Sequence, residues 1–283
     1  MLKGNEKEFE SGITIAQIAK SIGAGLYKAA CAGKVNGKVV DLRTPVTEDC
    51  EVEILTFDEQ EGKKAYWHTT SHIMAQAVKR IFPEAKFAIG PAIENGFYYD
   101  FDLSRTLVPE DLEKIEKEMK KIIKENIPLE RFELSPDDAE ELMKKENQEY
   151  KVELIKEHSD KGEKISFYKQ GDYTDLCAGP HLLTTGGIKA VKLTNCTGAY
   201  WRADSNNKML QRIYGISFPK ASQLEAYITM IEEAKKRDHN KLGRELGIFM
   251  TEENIGQGLH NYGRRPGIPV LLTKRHGIKK YFD

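Results

Sequence analysis

The sequence predicts an α+β protein of two modules followed by a long helix. Three observations carry that expectation. At 283 residues the chain has the length of two domains. Residues 12–57 alternate short helical and strand signals around an Asn-Gly turn. Residues 63–218 mix amphipathic helical stretches with β-rich pieces punctuated by turns, without the strict strand–helix repeat of a parallel sheet.

In the first module Thr14 is placed to cap a helix over residues 15–22, which Gly23 and Gly25 end. A second short helix is expected at 26–32. Val35-Asn36-Gly37-Lys38-Val39 reads as a hairpin, and residues 51–55 alternate as a half-buried strand. Nothing in this module carries an evident chemistry, so a docking or spacing role fits it best. Residues 58–62 are polar and read as a connector. A helix is then expected over residues 69–82, from the apolar spacing of Ile73, Met74, Ala77, Val78 and Ile81. Residues 88–93 and 96–101 read as a hairpin beside it. Pro109 opens a helix to about residue 126, with Leu112, Ile115, Met119, Ile122 and Ile123 on one stripe. Ser135-Pro136 caps another to about 146, and residues 150–155 form a helix or turn. Residues 165–169 and 173–176 lead into a Cys-Ala-Gly-Pro-His turn. Short β-rich pieces follow at 190–193, 199–202 and 209–214, and a helix is expected from Ser222 to about residue 246.

Composition is that of an ordinary globular protein, with 31% charged and 40% hydrophobic residues. A net charge of −1 supplies no global field toward nucleic acid, so RNA contact would need a local patch. Lys192, Arg202, Lys208 and Arg212, beside Tyr200 and Trp201, suit phosphate contact and stacking of an unpaired base; an ordinary sheet with a solvated basic edge suits the pattern equally. No apolar run is long enough to span a bilayer, and the first residues lack a signal-peptide core, so no membrane partner is expected. Cys31, Cys50, Cys177 and Cys196 show no dense disulfide spacing, which fits a reducing cytoplasm.

Two stretches concentrate ligand-type side chains. His68 and His72 stand four apart on the expected helix and so share a face. Cys177 and His181 are four apart around Gly179-Pro180, a turn able to fold both back to one point. Such a set can bind zinc tetrahedrally, or position a water for hydrolysis without metal. A histidine pair on a helix is often a surface accident, and a lone buried cysteine usually acts as a small hydrophobe. Both halves together, in a chain with seven histidines and four cysteines, argue for a site.

Gly12-Ile13-Thr14, Lys34-Val35-Asn36-Gly37 and Asp49-Cys50-Glu51-Val52 resemble the TGS domain, a ubiquitin-like fold found at the front of threonyl-tRNA synthetases and in certain GTPases. The second module is similar to the editing (second additional) domain of threonyl-tRNA synthetases, shared more broadly with alanyl-tRNA synthetases. The motifs that carry this are His68-x-x-x-His72, Ala88-Ile89-Gly90-Pro91, Asn95-Gly96-Phe97-Tyr98-Tyr99-Asp100, Tyr150-Lys151-Val152 and Asp175-x-Cys177-x-Gly179-Pro180-His181, closed by Gly198-Ala199-Tyr200-Trp201-Arg202 and Leu210-Gln211-Arg212-Ile213-Tyr214-Gly215. The resemblance implies a TGS-like domain at 1–61, an editing domain at 62–218, a linker helix at 219–246 and the entrance of a class II catalytic domain from 247. Arg237-Asp238-His239 resembles that linker helix, which makes His239 a surface residue. From His260 the resemblance stops, and the basic tail to Asp283 has no clear period. It is expected to be an out-of-frame or prematurely ended terminus, without the class II motifs.

What the resemblance implies chemically is hydrolysis of serine from mischarged threonine tRNA. His68 and His72 are then expected to position or deprotonate the water, since neutral imidazole works near neutral pH. Lys151 would steady the leaving sugar oxygen or the developing charge. Asp175 would bind the substrate ammonium, Tyr99 would line the pocket, and Cys177 and His181 would complete it or join His68 and His72 as zinc ligands. No cofactor is required on this reading, and metal-free hydrolysis is placed ahead of zinc; ATP would serve only the catalytic domain. The expected partner is the 3′ acceptor end of threonine tRNA, with the chain a monomer and the parent enzyme a homodimer. A noncatalytic tRNA-binding fragment is the alternative.

Overall fold

A computed structural model describes residues 6–237 in full, and beyond them the backbone of four strands within 249–280. One compact unit spans Met1–Leu224 and a second Glu225–Asp283. The chain opens with β1 (Ile13–Thr14), α1 (Ile15–Ile22), α2 (Ala24–Ala29), β2 (Ala32–Val35), β3 (Lys38–Val40), β4 (Pro45–Val46) and β5 (Val52–Leu55). Thr14 and Gln17 cap α1 reciprocally, each side chain bonding the other's backbone N–H. Asn36 and Gly37 both take positive φ and join β2 to β3, with Val35 paired to Lys38. The sheets are β3-β2-β5 and β1-β4. Ile15, Ile18, Ala19, Ala30 and Leu42 form the core beneath them. The second helix is shorter than the expected 26–32: Ala30 turns extended and Ala32 already pairs with Leu55.

The next helix, α3 (Gln60–Ile81), starts nine residues before the expected Thr69, and the expected connector at 58–62 is partly its first turn. Its polar opening disguised it. Glu59 closes the turn before it by accepting from Thr56 N and Oγ1, at 2.7 and 2.8 Å. Buried hydroxyls on α3 bond back one turn, Thr69 to Ala65 O and Thr70 to Tyr66 O. This allows a mixed-polarity helix to be enclosed on nearly all sides.

β6 (Lys86–Phe87), β7 (Ala92–Ile93) and β8 (Gly96–Asp102) follow, then α4 (Pro109–Glu125), β9 (Leu129–Leu134), α5 (Pro136–Lys145), α6 (Glu149–Asp160), β10 (Ile165–Gln170), β11 (Tyr173–Leu176), β12 (Ala190–Tyr200) and β13 (Met209–Phe218). A five-stranded antiparallel sheet has the order β12-β13-β8-β6, with β7 also on β8; a second sheet has the order β11-β10-β9. α3 is pinned to the first by Trp67 Nε1, which donates to Ser217 O at 2.9 Å, and Tyr66 OH, which donates to Phe218 O at 2.9 Å. The separate short pieces expected at 190–193 and 199–202 are mostly one strand, bulged between Leu193 and Asn195. β9 was not expected at all.

α7 (Ala221–Lys236) is the start of the expected linker helix; residues 238–246 and His239 lie outside the described residues, as does the expected entrance segment 253–259. In the tail, β14 (Phe249–Thr251), β15 (His260–Tyr262), β16 (Val270–Thr273) and β17 (Gly277–Lys280) form an antiparallel sheet in chain order. Strands of three or four residues are too short for alternation to register as a period. Among the described residues no helix is long and apolar enough to cross a membrane.

Candidate active site

His68 and His72 project from one face of α3, their ring centroids 5.1 Å apart. β11 and the turn after it bring in Asp175, Cys177 and His181. The His181 ring lies 4.3 Å from each of the other two imidazoles. Cys177 Sγ is 3.4 Å from His68 Nε2 and 3.2 Å from His181 Nε2. Gly179 makes the turn possible. Its φ is +79°, and a Cβ there would sit 2.2 Å from Tyr168 Oη. The Gly179-Pro180 bond is cis.

Thr69 Oγ1 gives its one proton to Ala65 O at 2.8 Å and accepts from the Leu182 amide at 2.9 Å. With the hydroxyl proton so directed, its 3.2 Å contact with His181 Nδ1 suits the tautomer that carries the proton on Nδ1. Nε2 is left with its lone pair toward Cys177.

Behind this set lies a buried charge pair. Lys151, in the first turn of α6, places Nζ 2.5 Å from Asp175 Oδ1. Tyr99 OH donates to Asp175 Oδ2 at 2.7 Å and accepts from Lys151 Nζ at 3.1 Å. His72 Nε2 is 3.6 Å from the same carboxylate oxygen. Tyr99 reaches this position because Gly90 has no side chain: a Cβ would meet its ring at 2.0 Å. His72, Lys151, Asp175, His181 and Tyr99 are buried, whereas His68 and Cys177 are half-buried and form the open lip of the site.

Burial sets the protonation states. It lowers His68 to about 3, with His72 adding to the effect, and lowers His72 to about 4 against the pull of Asp175. His181 is held well below its ordinary value by burial and by the two other rings. The Cys177 thiol is pushed up to about 12 by burial and then by Asp175. Burial raises Asp175, but Lys151, His72 and the hydrogen bonds from Lys151 and Tyr99 outweigh it and hold the carboxyl below its usual range. At neutral pH the site thus holds three neutral imidazoles, a thiol and an ammonium–carboxylate pair.

His68, His72, Cys177 and His181 offer donor atoms all within 4.8 Å of one another, near enough to hold a metal. Neutral imidazoles with a thiolate are the donor chemistry of zinc, and binding would expel the thiol proton. The residues fit such an ion, and they would fill all four tetrahedral positions.

The structure thus brings all seven sequence-selected residues into one cluster. Both oxygens of Asp175 are engaged, Oδ1 by Lys151 and Oδ2 by Tyr99. Each of the four basic residues beside Tyr200 and Trp201 has an acidic partner. Lys192 pairs with Glu116, Arg202 with Glu153 and Glu157, Lys208 with Asp102, and Arg212 with Asp100 in a two-pronged bond, while Trp201 is buried. These cations neutralise their own sheet and its neighbours. Sequence reasoning missed Thr69 and Tyr168, and also Asp41 and Arg43 of the first module, which bond the turn at His181. Thr69 stood in the selected stretch and could have been suspected from its place between two histidine positions; nothing local marks the other three.

A model of the threonyl and alanyl tRNA synthetase second additional domain matches residues 165–214, and a TGS domain model matches residues 2–56. A threonine–tRNA ligase of Caldanaerobacter subterraneus subsp. tengcongensis is 62% identical over 280 residues, covering 99% of this chain and 42% of the relative. That of Acetivibrio thermocellus is 58% identical over 283 residues, covering 99% and 43%. That of Clostridioides difficile is 55% identical over 276 residues, covering 98% and 42%. The chain spans about two-fifths of the length of these relatives. It is a homologue of the threonine–tRNA ligases, corresponding to their N-terminal region with a TGS domain and an editing-type second additional domain.

Proposed function

We propose that this chain hydrolyses the ester of serine misattached to threonine tRNA, binding the 3′ acceptor end of that tRNA. The observation that carries the reading is the half-buried His68 at the exposed edge of a cluster whose buried side is Lys151, Asp175 and Tyr99. Water entering at the lip gives a proton to His68 Nε2 as its oxygen adds to the ester carbonyl carbon. Lys151, although paired with Asp175, is assigned the role of steadying the negative charge that gathers on the carbonyl oxygen. When the tetrahedral species collapses, the carbon–oxygen bond to the ribose breaks and the sugar oxygen recovers the proton from the imidazolium. Free serine and uncharged tRNA result. His72 and His181 shape the pocket and stay neutral.

A thioester route through Cys177 is disfavoured, because burial keeps the thiol protonated. A zinc ion held by His68, His72, Cys177 and His181 would have every position filled by protein, which suits a structural ion better than a catalytic one, and we place metal-free hydrolysis ahead of it. Discrimination against threonine is proposed to be steric, since one methyl group read by binding alone gives only about 1–3 kcal/mol. The ligation in the relatives' name is not assigned to these residues.

The test is deacylation of serine-charged and threonine-charged threonine tRNA by the wild type and His68→Ala, with and without chelator. Loss of serine alone is expected, slowed about 10²-fold or more by His68→Ala and indifferent to chelator. No cleavage above the spontaneous rate for either ester would leave tRNA binding without catalysis as the account.

A further inference from the structure

The TGS domain grips the site's turn at four backbone atoms. Asp41 follows β3, is 9% exposed, and distributes its two oxygens. Oδ1 accepts from Arg43 N at 2.8 Å and from Arg43 Nη1 at 2.9 Å. Oδ2 accepts from Tyr168 OH at 2.8 Å and from the His181 amide at 3.1 Å. Arg43, oriented by that carboxylate, donates to Leu182 O at 2.9 Å, to Leu183 O at 3.2 Å and, at 3.5 Å, to His181 O. Leu183 packs on the first module's core. The turn that carries His181 and orients Cys177 is therefore clamped by a carboxylate on its amide and a guanidinium on its carbonyls. Charge-assisted bonds of this kind are the stronger ones. Leu182 links the clamp to the site directly, because its own amide donates to Thr69 Oγ1, the atom that lies 3.2 Å from His181 Nδ1.

We propose that Asp41 and Arg43 are positioning residues for the hydrolytic site: by holding the backbone of residues 181–183 they keep His181 in its Nδ1-protonated form against Cys177 and hold the open lip in shape. The TGS domain is then part of the editing machinery rather than a spacer. In its rate consequence this rests on the hydrolytic reading above; in its structural consequence it does not.

The experiment uses the full chain, with Arg43→Ala, Arg43→Lys and, as a control within the same module, Thr14→Ala. Thr14→Ala removes the α1 cap without touching the clamp. Two readouts are taken: single-turnover loss of serine from serine-charged tRNA at varied enzyme concentration, and long-range proton–nitrogen correlation spectra of the histidine rings. The expected result is a fall of about 10- to 100-fold in the maximal rate for both Arg43 variants, the range seen when an outer partner of a site residue is lost. The half-saturating concentration stays within about twofold, as for a group that acts on the chemical step rather than on binding. The His181 ring, with its proton on Nδ1 alone in the wild type, shows exchange between both nitrogens in the variants. Thr14→Ala keeps the wild-type rate and ring spectrum. Should Arg43→Ala fail to fold, Arg43→Lys decides. Wild-type rates and a single His181 tautomer in a folded Arg43 variant overturn the proposal, as does an equal change in Thr14→Ala. If the wild type cleaves neither ester, the hydrolytic reading fails, and the ring spectra still decide the clamp.

Discussion

Lys151 and Asp175 meet at 2.5 Å with 4% and 2% of their surfaces exposed, beside a row of imidazoles that stay neutral. A buried pair of this kind adds little net stability against an apolar replacement, but breaking it strands a charge out of water. Lys151→Met is therefore expected to destabilise the protein by about 3–5 kcal/mol, because Asp175 loses its one cationic lysine partner and keeps only hydroxyl and neutral imidazole neighbours. Adding Asp175→Asn should return most of that loss, since the stranded charge is gone. Urea unfolding of the two single variants and the double variant measures this; equal destabilisation in Lys151→Met and in the double variant would show that packing, not charge, is at stake. At this scale the sequence was readable where chemistry follows spacing. His68 and His72, and Cys177 and His181, are pairs four residues apart, and that distance places each pair together. The Lys151–Asp175 bond joins positions 24 apart, and the clamp bonds join positions about 140 apart. No local pattern encodes such pairings.

Among the elements, the turn from Cys177 to His181 is the one most narrowly specified. Gly179 and Gly162 both carry positive φ, +79° and +69°, but nothing lies within 4 Å of a Cβ built at Gly162. Gly162→Ala should thus cost about 1 kcal/mol, the backbone term alone. Gly179→Ala carries that term and also drives a methyl group into Tyr168, whose hydroxyl bonds Asp41, so it should cost more by at least about 1 kcal/mol. It should also slow serine release, while Gly162→Ala leaves that rate unchanged. Thermal unfolding and deacylation of both variants check the difference. Helices with a clean apolar stripe, such as α1 and α4, were legible in the sequence. The opening of α3 was not, because Gln60, Glu61, Lys63 and Lys64 carry no stripe and the helix is buried further on by polar groups that bond inward. β9 alternates Leu129, Arg131 and Glu133 against Glu130, Phe132 and Leu134, so neither face reads as apolar. The basic residues of β12 and β13 left two readings open for a related reason: a cation at a sheet edge looks the same in sequence whether its partner is a phosphate or Glu116.

For the molecule as a whole, the three neutral imidazoles make stability depend on acidity. His68, His72 and His181 have an ordinary value of 6.5, and burial lowers the first two in the folded state to about 3 and about 4 and the third well below its ordinary value. Below pH 6.5 the unfolded chain takes up protons that the folded site refuses. The sign is then fixed: the stability is fully present above pH 6.5 and is lost as pH falls toward the folded values. Each such histidine contributes up to about 1.4 kcal/mol per pH unit inside that window. The lowered Asp175 acts in the same direction, but only at more acid pH, where its unfolded counterpart near 3.8 begins to protonate. In chelator-treated protein, urea midpoints taken from about pH 7.5 down to about pH 4.5 should be level at first and then fall with growing slope below about pH 6.5. His72→Asn removes one of the three sites and should flatten that fall by about a third, whatever it does to the midpoint at neutral pH. A profile level down to pH 5 would mean that the folded site takes up protons as readily as the unfolded chain, and that burial does not keep the rings neutral at acid pH.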